Sequence, residues 1–238
     1  MKLTVKICAF FLAAVLLFGC DKYESTNPLS IAKVNYNYFP ITVGTYVEYD
    51  VNKIDVDIEV GKKDTSFYHI REVIDATFID NEGRETLKIK RYRKNTGKTE
   101  WLIKDVWTAN RTTTNSQRVE ENVRYMNLIF PVEKNESWNR NVFNSLGEVM
   151  VSYTLVDVPE TIGLLSYDSV LTVTKNVDPP NLLGSSSRVE KHASGVGMVY
   201  LKDLEIIKKS VSTETSVTYI DNIYRETIMT ATAFGKEK

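Results

Sequence analysis

Cysteine and histidine are scarce in this chain, with two of each among 238 residues. Both cysteines, Cys8 and Cys20, fall in the first twenty residues, so the rest of the chain has no thiol from which to build a disulfide framework. Structural zinc sites need three or four clustered ligands, and neither His69 nor His192 has such neighbours in sequence; no metal and no cofactor is expected. A basic excess is also missing. Thirty Lys and Arg stand against 31 Asp and Glu, which leaves no electrostatic footprint for nucleic acid. Apart from Ile7–Phe18 there is no long apolar run, and those twelve residues fall short of the roughly 20 that a membrane-spanning helix needs. A sustained 3.6-residue hydrophobic period is absent too, which argues against a helical bundle and against alternating strand–helix units.

At the N-terminus, Lys2 and Lys6 precede the apolar run, which ends in Leu17-Phe18-Gly19-Cys20. A positive segment, a short apolar segment and a small residue are the parts of a secretory leader. The tetrapeptide resembles the lipobox of bacterial lipoproteins, in which cleavage after Gly19 leaves Cys20 as an acylated N-terminus. Other roles for Cys20 fit less well. A disulfide needs Cys8, which would leave with the leader, and a nucleophile needs a nearby base. The resemblance implies a diacylglycerol and often a third chain on Cys20. One acyl chain binds a membrane marginally and two or more hold it stably, so permanent anchoring in the outer membrane is expected, on either its periplasmic or its surface face. Removing Lys2 and Lys6 leaves 28 bases against 31 acids, a formal charge of −3. Residues 1–19 then read as signal peptide, 20–36 as a polar tether and 37–238 as a single β domain.

What that domain does have is alternation. From Thr45, the residues Val47, Tyr49 and Val51 point one way while Glu48, Asp50 and Asn52 point the other, the pattern of a half-buried strand. Further strands are expected at about Ser66–Ile79, Glu85–Arg93, around Trp101–Trp107, Ser116–Phe130, Val149–Val158, Asp168–Lys175, Val189–Leu201 and Ser216–Ile228. Leu201, Leu204 and Ile207 read as strand or loop. Turn residues such as Asn95 and Gly97 separate the strands. The fold class is therefore all-β, an antiparallel meander of about nine to eleven strands. So many long strands do not lie flat, so a closed or half-open barrel is expected, with a two-sheet sandwich as the alternative.

An internal echo links FPITVGTYV, residues 39–47, with FPVEKNESW, residues 130–138. Gly44 and Asn135 occupy matching places, and both residue types tolerate left-handed backbone. One reading is a duplicated half-domain with a ligand at the junction. The plainer one is a repeated way of entering a strand, with Phe39 and Phe130 as core plugs, and it is preferred. Tyr38-Phe39-Pro40, Val43-Gly44, Tyr46, Phe130-Pro131-Val132, Trp138 and Gly195-Val196-Gly197 together resemble a family of uncharacterised Bacteroidota cell-envelope lipoproteins. That likeness covers most of the domain and implies a shared fold and no defined activity.

Candidate site residues emerge from local chemistry. Residues 84–98 hold seven bases and one acid. Lys88, Lys90, Arg91, Arg93 and Lys94, with Tyr92 interleaved, form a candidate patch for a polyanion, although charged strands more often protect exposed edges. Asp168-Ser169-Val170 resembles the short O-glycosylation pattern of Bacteroidota envelope proteins, which makes Ser169 a candidate. His69 shares a strand face with Phe67 and Arg71. The glycines after His192 suggest a bulge within a strand. No nucleophile–base pair can be assembled from the sequence, so no enzyme is expected. The leading expectation is a lipid-anchored, non-catalytic β domain that binds an envelope protein, glycan or lipid. The alternative is a carrier of lipid or another apolar molecule in a half-open barrel.

Overall fold

A computed structural model describes residues 34–176 and 182–237. The expected leader, Gly19, Cys20 and the tether up to residue 33 lie outside the described residues. The compact unit begins at Val34, and both Val34 and Tyr36 pack against the core.

A 3₁₀ turn, Tyr36–Tyr38, precedes twelve strands: β1 (Thr45–Asp57), β2 (Lys62–Ile79), β3 (Glu85–Asn95), β4 (Leu102–Arg111), β5 (Asn115–Glu120), β6 (Val123–Ile129), β7 (Ser137–Asn139), β8 (Met150–Ile162), β9 (Leu165–Lys175), β10 (Gly184–Ala193), β11 (Gly197–Ser212) and β12 (Val217–Lys236). They form one sheet in the order β6-β5-β4-β3-β2-β1-β12-β11-β10-β9-β8-β7. Each pairing is antiparallel, and β1 meets β12 from Thr45–Lys236 to Asp57–Ile223. Consecutive strands are therefore neighbours everywhere except between β6 and β7, and the sheet curls into a nearly closed barrel. The gap between β6 and β7 is its seam. There the Met126 N–H donates to the Arg140 carbonyl at 2.9 Å, and the Trp138 indole N–H donates to the Met126 carbonyl at 3.1 Å.

Twelve strands exceed the expected nine to eleven because two expected strands are hairpins and the three-residue β7 was not among those expected. Residues 116–130 turn back at Glu121 and Asn122, whose φ angles are 49° and 66°. Tight hairpins need such positive φ values and normally recruit glycine for them, so a glycine-free turn has little signature. Residues 189–201 turn at Ser194-Gly195-Val196, where a bulge was expected, and end β10 and start β11. Leu201, Leu204 and Ile207 all lie in β11.

The echo is structural. Gly44 and Asn135 both have positive φ, 87° and 70°. The residue after each donates its N–H three positions back, Thr45 to Thr42 and Glu136 to Glu133. Each turn opens six strands, β1–β6 and β7–β12, and Phe39 and Phe130 are both buried in one core.

Inside the barrel the apolar side chains form two clusters. One gathers Tyr38, Phe39, Leu87, Ile89, Leu128, Phe130, Trp138 and Tyr153. The other gathers Tyr49, Val51, Ile70, Val170, Val199, Leu201 and Met229. Strands β2, β3, β5 and β10 also turn charged residues inward.

Candidate functional site

The conspicuous sequence motifs converge at one place. The N–H of Gly195 donates to the Asn37 carbonyl at 2.9 Å, and the Asn37 amide donates to the Ser194 hydroxyl. Gly197, with φ of 95°, lies so near Pro40 that a Cβ would come within 3.3 Å of the proline Cδ. The β10–β11 turn is thereby fastened to the Tyr38-Phe39-Pro40 segment. Beside this junction a narrow cleft, open to solvent, enters the barrel. Pro40, Tyr46, Val47, Val196 and Met198 line it where residues are half-buried, and Phe39, Leu87 and Ile89 supply buried apolar wall.

The inner end is polar. Glu72, Arg118, Asn127 and His192 all line the cleft. A smaller space shares Glu72, Arg118, Asn127 and Met198 with it and is lined further by Arg91, Glu120, Arg188 and Glu190. Glu72 accepts from Arg91 Nε at 2.8 Å and from an Arg118 terminal nitrogen at 3.0 Å. Arg91 also reaches Asp105 at 3.0 Å and stacks on Trp107. Arg188 donates to Glu190 at 2.6 Å and to Asp203 at 2.5 Å. Each charge is thus opposed by a partner, the condition under which charges are tolerated in an interior. Burial by itself would raise the Glu72 carboxyl, but the Arg118 and Arg91 guanidinium groups hold it below the ordinary glutamate value. Glu190 behaves likewise: burial opposes ionisation, and Arg188, the His192 hydrogen bond and Arg140 overcome it and hold the group well below that value.

Three groups in this layer are under-partnered. The His192 ring is 3% exposed; its Nε2 faces Glu190 Oε2 at 3.3 Å, and its Nδ1 has no hydrogen-bond partner. Asn127, 6% exposed, leaves its Oδ1 unpartnered. Arg118 Nε makes no hydrogen bond and lies 3.4 Å from Glu120. Buried polar atoms are nearly always satisfied by protein or water; all three residues line the cleft, although these particular atoms are closed to solvent. Sequence reasoning did not single out Asn127, Arg118 or Glu72, since nothing local distinguishes an inward arginine from an outward one.

The expected site residues lie elsewhere, apart from Arg91. Lys88 and Lys90 both pair with Asp75 at 2.6 Å, on the face opposite the buried Leu87 and Ile89. Arg91 points inward to the ion-pair layer. Arg93 stacks on Tyr68 and Lys94 on Trp101, so the five bases divide between two faces. Ser169 Oγ donates to Asp157 and stands 2.8 Å from the Tyr38 hydroxyl. His69 is paired with Asp50 at 2.7 Å. Among the described residues, no three His, Cys, Asp or Glu side chains gather as metal ligands, and no helix is long and apolar enough to cross a membrane.

The fold and the cleft define an up-and-down β-barrel with a charged interior layer. No protein-family model matches the chain, and no curated protein or solved structure matches it.

Proposed function

We propose that this chain is a lipid-anchored, non-catalytic binding module of the bacterial cell envelope that takes a small amphipathic molecule into its barrel. The observation that carries the reading is the cleft itself, apolar along its walls and polar at its buried end. Ligand pockets combine an apolar lining with a few placed polar groups in this way. Anchoring through Cys20 at the outer membrane, as the lipobox resemblance implies, would hold the cleft in contact with envelope molecules. The charged side chains at the inner end are engaged with one another, which supports binding over catalysis. A carrier of long acyl chains fits less well, because hydrocarbon pushed past Glu72 and Arg118 would strip water from charges without replacing it.

Native mass spectrometry of the full chain purified from its membrane tests this. A small-molecule adduct is expected, and it should vanish in Val196→Trp, which fills the cleft mouth. An adduct retained in that variant, or none in the wild type, would refute the reading.

A further inference from the structure

We infer that the barrel end remote from the N-terminus seats its hairpin tips in the surface of a phospholipid bilayer. This rests on the anchoring proposed above and not on the cleft. Alternate turns of the antiparallel meander fall at opposite ends of the barrel. The N-terminal segment lies at the end of the β4–β5 and β10–β11 turns, where the Tyr36 hydroxyl donates to the Thr113 carbonyl at 2.9 Å and the Gly195 N–H donates to the Asn37 carbonyl. The β1–β2, β3–β4 and β11–β12 turns lie at the other end. Each carries exposed large apolar side chains: Ile58 and Val60 (73% exposed), Leu102 and Ile103 (61%), and Val217 and Ile220. The first and third tips touch, with the Ile58 N–H donating to the Asn222 carbonyl at 2.9 Å and Lys209 3.3 Å from Glu59. The Thr96 hydroxyl ties the second to β2 at the Phe67 carbonyl.

Exposed apolar tips mark a contact surface for protein or membrane, and the residues beside them choose between the two. Lys62 and Lys63, Lys98 and Lys104, and Lys208 and Lys209 flank the three tips. Lysine is depleted from protein–protein interfaces, whereas at a bilayer its stem lies along apolar surface while the ammonium reaches the headgroups. Trp101 precedes Leu102 and holds Lys94 Nζ 4.5 Å from its ring centroid, and tryptophan favours the same boundary. The tether end exposes Ile79 and Leu164 as well, but Asp80 follows the first and no base lies within three residues of the second. Reach permits the arrangement. Residues 21–33, between Cys20 and Val34, span at most about 45 Å. Strand β1 has 13 residues, about 43 Å if laid straight and less when tilted in a barrel. Acyl groups on Cys20 and the far tips can therefore enter one bilayer, which leaves the cleft mouth beside Pro40 and Val196 on the aqueous side.

Tryptophan quenching tests the inference on the full chain, purified from its membrane and returned to vesicles of phosphatidylethanolamine and phosphatidylglycerol with brominated acyl chains. Trp107 lies in the ion-pair layer and Trp138 in the core, so of the three tryptophans Trp101 alone can meet bromine. Its emission, taken as the difference from Trp101→Phe, should fall by at least half. Leu102→Glu combined with Ile103→Glu should restore it while the protein still floats with the vesicles; both side chains are exposed, so the change spares the core. Trp101 quenched by aqueous iodide and untouched by bromine would mean that the tips face away from the bilayer, and would overturn the docking while leaving the anchor intact. Trp101 shielded from both quenchers would mean that protein covers the tips, which overturns it equally, as does bromine quenching retained in the double variant. Protein that does not float with the vesicles would refute anchor and docking together, and the cleft would still stand or fall on its own adduct.

Discussion

The hydroxyl of Tyr153 serves both peptide groups of Ile129, donating to its carbonyl at 2.7 Å and accepting from its N–H at 2.8 Å. Tyr153 lies on β8 and Ile129 on β6, so this side chain joins the Met126–Arg140 and Trp138–Met126 hydrogen bonds in bridging the seam where β6 and β7 do not form a ladder. Burial raises the phenol above its ordinary pKa, which keeps the proton in place for donation. Tyr153→Phe would leave two backbone groups unpaired and should destabilise the protein by roughly 2 kcal/mol. Urea unfolding checks the magnitude, and faster amide exchange at Ile129 checks the location. Unchanged exchange there would mean that the seam is held by other contacts.

The β10–β11 turn offers an internal comparison. Gly195 and Gly197 both have positive φ, 77° and 95°, but a Cβ on Gly195 meets nothing within 4 Å whereas one on Gly197 meets Pro40. Gly195→Ala should show only the backbone penalty, about 1 kcal/mol. Gly197→Ala should lose more, because Pro40 has to move as well. Equal unfolding midpoints for the two variants would contradict the fastening of this turn to the N-terminal segment.

Glu190 holds the second half of the charged layer. Glu190→Gln keeps its shape but leaves Arg188 and His192 facing a neutral amide in a buried position. Removing one partner of a buried ion pair costs about 3 kcal/mol or more. A chemical-denaturation midpoint shifted by less than a third of that would show that the layer contributes little to stability.

Asp80 gives a pH signature. Its carboxylate accepts from the Glu82 and Arg84 backbone N–H groups at 2.9 Å and from the Arg84 guanidinium. The Arg84 backbone hydrogen bond leads the groups that bring its pKa to about 2 from 3.8. A folded pKa below the unfolded one contributes stability above the unfolded value, and this is lost as pH falls toward the folded one. Asp80→Ala should therefore melt earlier than wild type at pH 5 to 7. The difference should shrink between about pH 4 and pH 2, and a pH-independent difference would exclude the linkage.

Anchoring is tested apart from the fold. Cys20→Ala should move the protein from the membrane fraction to the soluble fraction with its melting temperature unchanged. Continued sedimentation with membranes would exclude Cys20 as the anchor.

How much of the fold was legible in the sequence differs from one element to the next. Alternation at Tyr49 and Val51, or at Leu87 and Ile89 against Lys88 and Lys90, is a local property. Period-two patterning specifies which face turns inward wherever one face is buried. Gly44 and Asn135 were legible as turn residues and Phe39 and Phe130 as core plugs, whereas Gly195-Val196-Gly197, expected as a bulge, ends β10 and starts β11. The hairpin at Glu121-Asn122 was not legible, because neither residue demands a positive φ and only the pairing of Ser116 with Leu128 and Gln117 with Met126 imposes it.

By itself, then, the sequence determined most of the strands, their inward faces, an antiparallel meander and the residues of some of its turns, since these depend on neighbours within a few positions. Only the tertiary structure decided that β1 closes on β12, that Glu72, Arg118, Asn127 and His192 meet at one cleft, and that Arg91 leaves the basic run to join them. Those residues come from β2, β3, β5, β6 and β10. Their charges have meaning only once the barrel has removed water and set each beside its partner, a long-range condition that no local pattern carries.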